Sequence, residues 1–119
     1  MADSHQQFTD EEFEQLFANC TFPPKLFNHE AHIRLGFIHL KKYPKEQAIE
    51  NVCKQILKFD QVHDKGDKYD HQLTIAAMEV IHELIEKSQP DSFEMFLSSN
   101  QDIMSDFKSL IQEKLLKQG

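Results

Sequence analysis

Prolines punctuate this chain at positions 23, 24, 44 and 90. In a helix interior a proline removes a backbone hydrogen bond and collides with the preceding turn, so each one marks where a helix stops or starts. Between these breaks, apolar residues recur three and four apart, which is the spacing of one helix face. Only three glycines occur, and no alternating apolar pattern bounded by tight turns stands out. The pattern predicts an all-α chain: a compact bundle of four to five helices forming a single domain over 1–119, with residues 1–8 disordered.

The segments can be read in order. Thr9 followed by Glu12 makes a capping box, and Phe13, Leu16 and Phe17 then repeat at helical spacing, predicting a helix over about 10–19. "TFPPKLF" ends it. Asn28 is placed to cap a second helix over about 29–42. Pro44 suits the first turn of a third, over about 44–61, carrying Ala48, Ile49, Val52, Ile56, Leu57 and Phe59. A polar, glycine-containing loop, "DQVHDKGDKYD", precedes a fourth helix over about 70–87. "SQPDSF" then starts a short one over about 91–98, with Asp91 or Ser92 as cap. An amphipathic helix with Ile103, Phe107, Leu110, Ile111 and Leu115 closes the chain.

The formal net charge is −7, from 20 acidic and 13 basic residues. That balance argues against nucleic acid as a partner, since phosphate binding needs a basic surface. Cys20 and Cys53 are far apart and form no C-x-x-C pair, so they read as reduced, buried thiols. No apolar run approaches the roughly 18–20 residues of a membrane span, and the polar, acidic N-terminus does not resemble a signal peptide. A cytoplasmic protein with no membrane partner is expected.

Chemistry concentrates in "FNHEAHIRLGFIHL", which holds three of the seven histidines. At about 100° per residue, Ile33, Gly36, Phe37 and Leu40 centre an apolar stripe. His29 falls within it and His32 about 60° to one side, with His39 nearly above His32. Glu30 and Arg34 share the opposite flank. In the fourth helix, Leu73, Ala77, Ile81, Leu84 and Ile85 mark the buried side. Asp70 and Thr74 share that side, while His71 and His82 lie on a flank. If the two N-terminal ends meet, His29, His32, Asp70 and Thr74 form one polar cluster in an inter-helix pocket.

These residues resemble a family of small, helical bacterial proteins with no settled activity. "F-N-H-E-A-H-I-R-L-G" resembles that family's F-x-H-x-x-H-[ILV]-R-[LV]-[AG] signature. "Y-D-H-Q-L-T" is similar to its Y-H-x-T-[LI]-T segment, and "F-L-S-S-N-Q-D-I" to its F…N-x-D-[LI] segment. The resemblance spans about 26–116 and marks Phe27, His29, His32, Arg34, Tyr69, Leu73 and Thr74. The chain departs from the pattern at Asp70, where the family tends to have histidine, and at Gln72, where it tends to have threonine. His71 could substitute by a one-residue slip. The resemblance implies a shared pocket and no particular reaction.

Two functional readings follow. In the first, His29, His32 and Asp70 bind a divalent metal, zinc or iron, leaving positions open for water or a small-molecule substrate in hydrolase- or lyase-type chemistry. Arg34, Tyr69, His71 and Thr74 then line the pocket, Arg34 as an anion clamp. H-E-x-x-H is absent, so a zinc-protease motif is excluded. In the second, the chain is a non-enzymatic interaction module or homodimer. Its histidines are structural, Asp70 caps its own helix, Thr74 bonds back to a carbonyl and Arg34 pairs with Glu30. Calcium is disfavoured for the acidic loop, because Gly66 is out of register and no glutamate closes it.

Overall fold

The computed structural model describes residues 5–63 and 69–118, without the side chains of 102–105, 117 and 118. The chain is all-α. Among the described residues there are six α-helices: α1 (Asp10–Ala18), α2 (His29–Lys42), α3 (Lys45–His63), α4 (His71–Ser88), α5 (Phe93–Ser99) and α6 (Asp102–Gln118). Two short 3-10 helices, His5–Gln7 and Pro24–Leu26, precede α1 and α2. No helix is long and apolar enough to cross a membrane among the described residues. Contacts divide the chain into two compact units, 1–69 and 70–119.

In the first unit α1, α2 and α3 pack on one another. Thr9 and Glu12 exchange the two capping-box bonds, 3.1 and 2.9 Å, at the start of α1. The chain leaves α1 through Cys20, whose φ of 60° lets the Thr21 and Phe22 amides return to the Leu16 carbonyl. That return drops Phe22 beside Phe13 and Phe17, with ring centroids 4.8 and 5.7 Å away. Phe17 also stacks on Phe59 of α3 at 4.6 Å. Phe13, Phe17 and Phe22 are fully buried. Each contributes about 1.5–3 kcal/mol by leaving water.

Burial along α2 departs from the stripe expected of it. Every residue from Ile33 to His39 is buried, including Arg34 and His39, so its middle is covered on all sides. His29, expected within the stripe, is exposed. In the first turn angle still decides burial, with Ala31 buried and His29 and His32 exposed; along the middle of the helix it no longer does.

Residues 1–8 were expected to be disordered; His5–Gln7 form a 3-10 helix, and residues 1–4 lie outside the described chain. His5 is 1% exposed, held against α2 by the Arg34 contacts described below.

In the second unit α4 packs on α5 and α6. Its core includes Met78, Val80, Ile81, Phe93, Phe96, Phe107 and Ile111. The short α5 forms because Ser92 Oγ accepts from the Met95 amide at 3.2 Å and both its phenylalanines are buried. The six α-helices among the described residues exceed the bundle of four to five expected, although α5 falls on a segment read as helical. Leu73, assigned to the buried side of α4, is 43% exposed. Ile103 lies among the side chains not described.

Candidate functional site

The first turn of α2 carries the two motif histidines. Asn28 starts it, its Oδ1 accepting from the Ala31 amide at 2.9 Å. The carbonyl of Asn28 lies 2.9 Å from His32 Nδ1. A carbonyl only accepts, so Nδ1 carries the hydrogen and Nε2 keeps its lone pair. Phe27 covers one face of the imidazole, with centroids 3.6 Å apart and planes 25° apart, while the residue stays exposed on its outer side. Burial of the ring face pushes the His32 pKa below its ordinary value. The bond to Asn28 opposes this and nearby His29 adds to it. His32 is therefore neutral at pH 7, fixed in orientation, and presents a basic nitrogen. This is the state in which imidazole binds metals. His29 is the first residue of α2 and is exposed.

Arg34 is neither an anion clamp open to solvent nor the partner of Glu30. It is 7% exposed, and its guanidinium faces the start of the chain. Nη1 donates to the His5 carbonyl at 2.6 Å and to His5 Nδ1 at 3.2 Å. Nη2 donates to the Phe8 carbonyl and to Asp10 Oδ1, both at 2.8 Å, and Nε reaches the same carboxylate at 3.2 Å. The guanidinium also lies 4.9 Å above the Phe13 ring. Because Nδ1 of His5 accepts from Arg34, its Nε2 bears the hydrogen and donates to Glu30 Oε2 at 2.5 Å. Glu30 thus pairs with His5, and Gln6 joins it at 3.1 Å.

Asp70 is the N-cap of α4: its Oδ1 accepts from the Leu73 amide at 3.0 Å. The Thr74 hydroxyl donates back to the Asp70 carbonyl at 2.8 Å. Local backbone bonds thus take one Asp70 carboxylate oxygen and the Thr74 hydroxyl hydrogen. His71 is exposed at the first position of α4. Tyr69 is half-buried; its amide donates to buried Asp60 at 2.9 Å, and its side chain bonds to that of Cys53. Burial raises the Cys53 thiol pKa, and the bond to Tyr69 only partly offsets this. Both cysteines are buried, unpaired thiols. Among the described residues no group of three or more His, Cys, Asp or Glu side chains is placed to hold a metal ion. Asp64, Gly66 and Asp67 of the acidic loop lie outside the described residues.

Two polar residues escaped the sequence reading. His5 sat in a stretch expected to lack structure. His39, placed on a flank, is 1% exposed. The nearest hint was the apolar run "LGFI" just before His39, which by itself does not separate a buried position from a flanking one. The second unit also has a groove of about 600 Å³ between α4 and α6. Val80, Leu84 and Leu110 floor it, and Glu83, Lys87 and Lys114 line its rim. Comparison of the chain with protein-family models, with curated proteins and with solved structures finds no match.

Proposed function

We propose that the first turn of α2 binds a divalent transition metal or a polar small molecule through His29 and His32. The observation that carries this reading is His32, whose ring is held by Phe27 and the Asn28 carbonyl with Nε2 as its basic nitrogen. Residues three apart on a helix share a face, so the two imidazoles can serve one ion. In this reading Asp70 is a helix cap and not a ligand. The remaining positions go to water or substrate, and a water so bound would be activated for hydrolase- or lyase-type chemistry.

Calorimetric titration with zinc, nickel and copper tests it. One ion per chain is expected, with His29→Ala and His32→Ala each weakening affinity by about tenfold or more. Undiminished binding in the double variant, or none in the parent, would sink the proposal.

A second reading, an interaction module or homodimer, is favoured by the α4–α6 groove and by Leu116, which is 81% exposed on α6. It predicts concentration-dependent association in sedimentation experiments, abolished by Leu116→Glu.

A further inference from the structure

His39 is buried, and its Nδ1 lies 3.4 Å from Asn51 Nδ2 of α3. Asn51 Oδ1 in turn accepts from Gln47 Nε2 at 2.7 Å. An amide nitrogen only donates, so Nδ1 is the acceptor and the ring hydrogen sits on Nε2. That nitrogen makes no hydrogen bond among the described residues. The three side chains form a one-way chain: Gln47 donates to Asn51, and Asn51 donates to His39. The outer end, Gln47, is exposed.

The groups around the ring come from three helices. From α1, the Glu14 carboxylate favours a charged imidazole; from α2, the Lys42 ammonium opposes it. Tyr43, also following α2, stacks on the ring at 5.4 Å and donates to Glu14 Oε2 at 2.8 Å. From α3 comes the uncharged Asn51. Burial is the largest influence, and it keeps the ring neutral at ordinary pH.

A proton arriving from solvent must go to Nδ1, where it meets the Asn51 NH2 group, and two donors then face each other. The conflict ends if the Asn51 amide turns over and offers Oδ1 to the ring. Its NH2 then faces the Gln47 NH2, and Gln47 must turn over as well.

We infer that His39, Asn51 and Gln47 form a proton-driven relay in which one proton on a buried ring reverses two amides. Before protonation Gln47 presents its carbonyl oxygen outward; afterwards it presents its NH2. The relay converts a buried charge into an exchange of acceptor for donor at the surface of α3.

Nitrogen-15 NMR of the full chain tests this. The expected result is an Nε2–H tautomer for His39 at neutral pH, with the Asn51 and Gln47 side-chain amide signals moving at the His39 midpoint. Gln47→Ala removes the far amide and its reversal, so the His39 midpoint rises by about 0.5 pH unit. Glu14→Gln lowers it. An Nδ1–H tautomer at neutral pH overturns the relay. So do amide signals that ignore the titration, a midpoint unmoved by Gln47→Ala, or a chain that unfolds before the ring titrates.

Discussion

Replacing Arg34 by methionine would remove five hydrogen-bond contacts and keep most of the apolar stem. Asp10 loses little, since its carboxylate is 56% exposed. The cost falls on the Phe8 carbonyl, which loses its partner beside the covered face of α2, and on the His5 carbonyl, which keeps only the Phe8 amide at 3.2 Å. We expect a loss of about 2 kcal/mol in denaturant unfolding. Amide exchange at residues 5–8 should rise more than in α3. Lysine should not rescue the variant, because a point charge cannot reproduce the fork that reaches two carbonyls and a carboxylate.

His39 and His32 set the pH response at the same scale. Both have pKa values below the ordinary 6.5. Below about pH 6.5 the unfolded chain binds protons that the folded chain does not, so stability falls as pH drops through that point until the folded values are reached. His39→Leu should flatten this slope, seen as a smaller drop in the thermal midpoint between pH 7 and pH 5. Arg34 and His39 were also the residues least legible from spacing. A charged or polar letter in an apolar run reads as an interruption, and only the partners show it to be an anchor.

At the level of helices, the punctuation was legible. Thr9, Asn28, Asp70 and Ser92 all cap where their letters predict, because capping is decided within one turn. The enclosure of α2 was not legible, since it depends on what packs against the helix. The Asp70 cap gives a clean test of its role. Asparagine caps as well as aspartate, so Asp70→Asn should leave stability within a few tenths of a kcal/mol, while Asp70→Ala should cost about 1 kcal/mol. Under the proposal above, neither variant changes metal affinity in the calorimetric titration. A tenfold loss in Asp70→Asn with unchanged stability would return Asp70 to the ligand set.

For the whole chain, the α class could be read from proline placement and apolar spacing, because both act on every segment. The division at Tyr69 could not, since no composition shift marks it. The candidate site was legible in half: His29 and His32 stand together because they share one turn. Their relation to Asp70 depends on distant packing that spacing does not encode. Within the first unit, Phe17→Ala should be the most damaging change, about 3–5 kcal/mol, because the ring touches Phe13, Phe22, Phe27 and Phe59. Loss of cooperative unfolding followed by near-ultraviolet circular dichroism would register it.

Cys20 and Cys53 both lie in the first unit and are buried, and residues 70–119 contain no cysteine. The thiols are therefore built-in clocks for one part of the molecule. A thiol reagent reaches a buried sulfur only through an opening, so the labelling rate measures how often the surroundings of Cys20 and Cys53 open. Comparing labelling with amide exchange in α4 would show whether the two parts open together or on separate schedules.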